Sequence, residues 1–145
     1  MSKFYFAYGS NMNLGQMRKR CHGATFITKA KLFGYKFVYD GNSITSRGAV
    51  ANIVESTGDI VEGAIFEIDD KCEKALDWYE GFPTAYQKKN IECIGDDGNI
   101  YHAFAYLRAP LKIGKPSENY KNVVLEGARD VGLSEKYIRE FIENE

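Results

Sequence analysis

The sequence predicts an α+β domain, with a mainly antiparallel sheet able to curl into a barrel and a few helices flanking it. Three observations carry that expectation. The 10 Tyr and 9 Phe stand against a single Trp, and many alternate with Val and Ile in short runs, a composition that suits strands. The segments Ser56-Thr57-Gly58-Asp59 and Asp96-Asp97-Gly98-Asn99 have the residue chemistry of tight hairpin turns, and hairpins make antiparallel pairs. Helical periodicity appears only in isolated stretches between the strand runs. The 145 residues suit one domain over 1–145, without an internal repeat, low-complexity tract or linker.

In chain order, Lys3 to Tyr8 is a short, almost wholly apolar strand, expected to be central with both faces covered. Asn13 then caps a helix with Gln16 in the answering position. Leu14, Met17 and Cys21 form its apolar stripe, Arg18, Lys19 and Arg20 its solvated face, and Gly23 its end. Thr25 to Tyr39 is a long strand with a bend or bulge at Gly34, broken by Asp40-Gly41-Asn42-Ser43. Ala49 to Val54 and Ile60 to Ile68 are expected as two strands joined through the Ser56–Asp59 turn. Asp69 and Asp70 open a helix whose buried face carries Cys72, Ala75, Leu76 and Tyr79, and which ends at Glu80-Gly81. Tyr86 to Ile94 and Ile100 to Leu107 form the last hairpin. A loop from Pro110 to Pro116 leads to a Ser117-capped helix with Tyr120, Val123, Val124, Ala128 and Val131 in register, stopped by Gly132. Ser134 starts a final short helix.

Lys plus Arg total 19 and Asp plus Glu 20, so no electrostatic pull toward nucleic acid or membrane exists and a small-molecule partner is favoured. Cys21, Cys72 and Cys93 are widely spaced and contain no CxxC pair; neither a disulfide framework nor a zinc site is expected, and reduced thiols are. The N-terminus lacks the pattern of a signal peptide and no apolar run approaches membrane-spanning length, so a soluble, cytoplasmic protein is expected.

The first loop, Tyr8-Gly9-Ser10-Asn11-Met12, precedes a helix start, where backbone N–H groups converge and suit an anion or a developing oxyanion. Read alone it is also an ordinary strand-to-helix turn satisfying its own backbone; Tyr8 at the end of a buried strand, able to wall a pocket, favours the ligand reading. Ser10 as a nucleophile lacks the GxSxG elbow, and His22 and His102 have no companions at metal-ligand spacing. Glu80 closes a helix, where the dipole opposes its charge, and lies among Trp78, Tyr79, Phe82 and Pro83, so desolvation would raise its pKa as a proton shuttle requires. A solvated glutamate at a helix end is the plainer reading. Asp77 is the weaker acid candidate. Tyr120 either reaches a ligand with its hydroxyl or enters the core. Arg18-Lys19-Arg20 and Lys88-Lys89 read as solvated faces.

Taken together, Phe6-Ala7-Tyr8-Gly9-Ser10-Asn11-Met12, Gly63-Ala64-Ile65-Phe66-Glu67-Ile68 and Leu76-Asp77-Trp78-Tyr79-Glu80-Gly81-Phe82-Pro83-Thr84-Ala85-Tyr86 resemble the gamma-glutamylcyclotransferase-like superfamily in order and separation. The stretch Glu-Gly-x-Pro-x-x-Tyr is more like the gamma-glutamylamine cyclotransferase and AIG2-like branch, which often carries Arg where this chain has Lys88. The resemblance implies a small mixed α/β barrel, with Glu80 as general acid/base. Tyr5, Phe6, Ala7, Tyr8, Gly9, Ser10 and Asn11 would hold the gamma-glutamyl unit through backbone groups, with Tyr120 facing the substrate. It also implies lactam-forming cyclotransfer on a gamma-glutamyl amine or peptide, releasing 5-oxoproline, with no cofactor, metal, nucleic acid or membrane. A homodimer is left open, and a non-catalytic small-ligand binder of the same fold is the alternative.

Overall fold

The structure is a computed structural model and describes residues 2–143. Five strands close into a barrel in the order β1-β3-β2-β4-β5. β1 (Lys3–Ala7) lies between β3 (Gly48–Ile68), antiparallel, and β5 (Ile100–Leu107), parallel. β2 (Thr25–Ser43) pairs with β3 and, through Ala30 and Lys31, with β4 (Gln87–Gly95), while β4 and β5 form a hairpin from Gln87–Leu107 to Ile94–Ile100. Closure leaves β1 without a free edge, which is why its run is apolar on both faces. Phe6, Ile53, Val61, Ile65, Phe66, Cys93 and Ala105 fill the core, each at most 2 % exposed.

The expected Ser56–Asp59 hairpin does not form. Gly48–Ile68 is one strand, and both halves pair with β2: Tyr35 faces Glu55 and Phe33 faces Ile60. The turn chemistry is real, with Gly58 at φ +89°, but it serves as a bulge opposite Gly34, φ +85°. A local excursion and a chain reversal demand similar residues; what separates them is the partner on the other side, a non-local fact. The break expected at Asp40–Ser43 also fails, since β2 continues to Ser43 and the reversal falls after it, where the Arg47 N–H donates to the Ser43 carbonyl at 2.8 Å.

The helices follow their caps. α1 (Leu14–Arg20) starts at Asn13, whose side chain accepts from the Gln16 N–H; α2 (Asp70–Glu80) starts at Asp69, which accepts from the Cys72 N–H. α3 (Glu118–Asp130) starts at Ser117, which accepts from the Tyr120 N–H, and α4 (Glu135–Tyr137) starts at Ser134 and continues into a wide helical turn, Ile138–Ile142. Two placements differ from expectation. Tyr79 is 46 % exposed, so α2 buries Cys72 and Leu76 but not the residue one turn on. Cys21 and Cys72, 51 residues apart, meet with Cα atoms 5.1 Å apart and are joined as a disulfide, while Cys93 is free and buried. The expectation of reduced thiols rested on spacing along the chain. The fold brings the C-terminal cap of α1 against the first turn of α2, a proximity that spacing cannot express. Among the described residues no helix is long and apolar enough to cross a membrane.

Candidate active site

The loop after β1 is built by close packing. Ser10–Met12 forms one tight turn, closed by Met12 N–H to the Gly9 carbonyl (3.1 Å) and Asn13 N–H to the Ser10 carbonyl (3.0 Å). These bonds do not use the N–H groups of Gly9, Ser10 and Asn11, as at the start of any short helix. α3 holds the turn from behind. Asn13 donates to the Val123 carbonyl at 3.2 Å, Asp130 accepts from the Leu14 N–H at 3.0 Å, and any side chain at Gly127 would overlap the Met12–Asn13 backbone. Gly9 is required for space. Its φ is −122°, and an added Cβ would lie 2.9 Å from the Ala51 Cβ.

Glu80 arrives from the other side as the last residue of α2. Gly81, at φ +67°, turns the chain away, and the Phe82 N–H closes on the Asp77 carbonyl at 2.9 Å. Lys88 anchors the helix to β4 by pairing with Glu73 at 2.7 Å and Asp77 at 2.9 Å, and its ammonium sits 4.4 Å from the Phe82 ring centroid. That gives Lys88 a structural task and removes it from the solvated face expected for it.

Glu80 and the loop line one narrow cleft with Tyr5, Tyr8, Gly9, Ser10, Asn11, Ala51, Tyr86, Tyr106 and Tyr120. Tyr8 donates its hydroxyl to the Tyr106 carbonyl at 2.6 Å. Tyr106 donates to Asp77 at 2.6 Å, so the acid set aside in the sequence anchors a wall of the cleft. Tyr86 donates to the Ala51 carbonyl at 2.7 Å, and Tyr120 accepts the Ala51 N–H at 3.0 Å. The two hydroxyls thus differ in what they offer a ligand: Tyr120 keeps its proton to donate, and Tyr86 keeps lone pairs to accept.

Phe6 and Ala7 do not line the cleft. Phe6 is fully buried in the barrel, where Gly63 leaves room for its ring, and Ala7 is 1 % exposed. Tyr86, Tyr106 and Ala51 are cleft residues that periodicity could not single out, since alternation along a strand reports a buried face without distinguishing core from pocket wall. Tyr86 alone carried a signal, as the last residue of the Leu76–Tyr86 motif.

Burial pushes the Glu80 carboxyl up to about 7, while the Arg20 charge and the Asn11 amide, which approaches Oε2 at 3.4 Å, pull it down. The desolvation does not come from the neighbours in sequence, for Trp78 is 78 % exposed. The cleft that encloses it is walled by Tyr5, Tyr8, Tyr86, Tyr106 and Tyr120. Burial also raises the Tyr120 hydroxyl to about 12 and those of Tyr5, Tyr8, Tyr86 and Tyr106 upward, so all five are neutral around pH 7. Among the described residues no group of three or more His, Cys, Asp or Glu side chains could hold a metal ion. The site therefore joins one carboxyl that titrates near neutrality, backbone donors at the start of a tight turn, and neutral hydroxyls of mixed polarity.

Comparison with known proteins points the same way. Residues 5–127 match the family model described as gamma-glutamyl cyclotransferase, AIG2-like. The chain is 29 % identical over 141 residues to the gamma-glutamylcyclotransferase of Homo sapiens, covering 94 % of this chain and 75 % of that one. It is 31 % identical over 142 residues to that of Bos taurus, with the same coverage. A solved structure titled gamma-glutamyl cyclotransferase superposes with a TM-score of 0.92 at 27 % identity, over 99 % of this chain and 87 % of that one.

Proposed function

The chain belongs to the gamma-glutamyl cyclotransferase, AIG2-like family, and from that premise we propose that it converts a gamma-glutamyl amine or gamma-glutamyl peptide to 5-oxoproline and a free amine. The carrying observation is that Glu80 and the Gly9–Asn11 backbone border the same cleft, although 69 residues separate Asn11 from Glu80.

The substrate's α-ammonium is no nucleophile until it loses a proton. A carboxylate titrating at about 7 is matched to take that proton near neutral pH. The freed amine attacks the gamma-carbonyl carbon of the same molecule, forming the lactam C–N bond and driving the carbonyl electrons onto oxygen. The N–H groups of Gly9, Ser10 and Asn11 are the donors for that oxyanion. The Glu80 carboxyl delivers the proton it has taken to the departing nitrogen as its bond to carbon breaks. The carboxylate so restored takes the second proton, shed by the now cationic attacking nitrogen, and passes it to the freed amine or to water. Since nucleophile and electrophile share one chain, much of the barrier is lowered by holding the folded conformer, a task for the tyrosine walls. The Tyr120 hydroxyl suits the α-carboxylate as a donor and the Tyr86 oxygen suits the amine as an acceptor.

A panel of gamma-glutamyl dipeptides and gamma-glutamyl amines tests the reading. Wild type is expected to release 5-oxoproline from at least one member, and Glu80→Gln, with its circular dichroism intact, from none. Tight binding without product across the panel would favour a non-catalytic binder of the same fold; unchanged turnover in Glu80→Gln would remove Glu80 from the reaction.

A further inference from the structure

Arg20 was expected on a solvated face, yet the last turn of α1 turns it inward, its Cζ 4.4 Å from the Tyr79 ring centroid and its Nη1 3.1 Å from Asn11 Oδ1. We propose that Arg20 is a positioning residue for Glu80, acting through Asn11: it locks the Asn11 amide with its NH2 edge toward the Glu80 carboxyl. The proposal rests on Glu80 being the acid/base.

An asparagine amide can present either edge, and which one it presents decides whether a neighbouring carboxyl is favoured charged or protonated. Asn11 is 3 % exposed, so protein groups make the choice. Its Oδ1 accepts from Arg20 at 3.1 Å and from Gln16 Nε2 at 3.2 Å. Both are donors without an accepting lone pair. Nδ2 is thereby directed to the Tyr5 hydroxyl oxygen at 3.0 Å and to Glu80 Oε2 at 3.4 Å. Turning the amide over would set NH2 against a guanidinium and a second amide NH2, and a carbonyl oxygen against the carboxyl, so it is disfavoured at both ends. Arg20 is itself held by the Tyr79 ring and by its place at the C-terminal end of α1, where the helix dipole favours a cation.

The arrangement favours the ionised form of Glu80 against the burial that opposes it. The titratable groups facing Glu80 from the surrounding elements are Tyr5 on β1, Tyr8 in the first loop, Tyr86 before β4, Tyr106 on β5 and Tyr120 on α3, all neutral near pH 7. Arg20 is the charge that acts on Glu80 alongside the Asn11 amide. Without it the base remains protonated to higher pH and fewer molecules can accept the substrate's proton.

The test is a carboxyl 13C NMR titration of the full chain, with the Glu80 resonance identified by its loss in Glu80→Gln. Arg20→Gln is expected to move the Glu80 titration upward by about one pH unit, and the charge-preserving Arg20→Lys by less. The acid limb of 5-oxoproline release moves with it; a one-unit rise from about 7 lowers the ionised fraction at pH 7 about fivefold, a loss recovered at higher pH. Because Arg20→Gln also removes a charge that acts on Glu80 directly, Gln16→Leu, which removes the other donor on Oδ1 without changing charge, reads the part carried by Asn11 and is expected to give a smaller upward shift; it also stands in should Arg20→Gln fail to fold. A Glu80 titration unmoved in these variants, with activity lost equally at every pH, overturns the proposal. The titration needs no turnover, so a wild type that releases no 5-oxoproline sinks the cyclotransferase reading while the Arg20 inference is decided on the resonance itself.

Discussion

Replacing Glu80 with glutamine is expected to abolish activity and to make the protein more stable, by a margin that opens as pH rises through the titration of the carboxyl. The carboxyl titrates at about 7 in the folded chain against an ordinary value of 4.5, with burial the largest cause. The unfolded chain therefore gives up this proton first, and between those values it binds fewer protons than the folded one. Folding stability consequently falls as pH rises through that window, and the penalty is complete above the folded value. The shift corresponds to about 3 kcal/mol, and the partial solvent access of Glu80 brings the expectation to about 2–3 kcal/mol. Glutamine keeps the shape and cannot ionise. Urea denaturation from pH 4 to pH 9 should show wild type and Glu80→Gln nearly equal at the acid end. Above pH 8 the variant should lead by that amount, or by roughly 7–10 °C in Tm for a chain of this size. Equal stabilities at all pH, or a lead that grows on acidification, would refute a desolvated carboxyl.

Gly9→Ala sets a methyl 2.9 Å from the Ala51 Cβ, so the loop must shift; overpacking should cost about 1–3 kcal/mol in denaturation, and the misplaced donors about a hundredfold in kcat. Tyr120→Phe removes the acceptor of the Ala51 N–H and the donor offered to the ligand; calorimetry should register a loss of about 1–2 kcal/mol, and KM should rise. Asp40 is fully buried and pairs with Arg108 at 2.6 Å, besides accepting from Asn52 and the Leu111 N–H. Asp40→Ala strands that guanidinium and should cost about 3–5 kcal/mol in urea denaturation. The pH profile of kcat/KM for wild type should have its acid limb near 7, set by Glu80; a limb near 4.5 would mean that the carboxyl is not desolvated during turnover.

What the sequence disclosed was whatever local chemistry decides. Helix starts at Asn13, Asp69, Ser117 and Ser134 were legible because a capping side chain and its N–H lie three residues apart. The β4–β5 turn was legible because both its strands are contiguous with it. The Ser56–Asp59 bulge was misread because its turn residues are the same either way and the distinction lies in β2. The site divides along the same line. The loop and Glu80 stood out through helix-end chemistry and a motif, but the tyrosines that enclose Glu80 come from four separated stretches of chain. Arg20 looked solvated because a run of three basic residues shows nothing of the single one that turns toward a buried amide. Phe6 and Ala7, carried along by the motif that includes them, are buried and outside the cleft lining.

The most direct test follows the oxygen. When a gamma-glutamyl substrate that the protein turns over is incubated with it in H2 18O, intramolecular aminolysis predicts unlabelled 5-oxoproline in equal amount to the freed amine. Glutamate carrying 18O in its side-chain carboxyl would instead mean that water, and not the substrate's own amine, attacks the carbonyl, and would contradict the account.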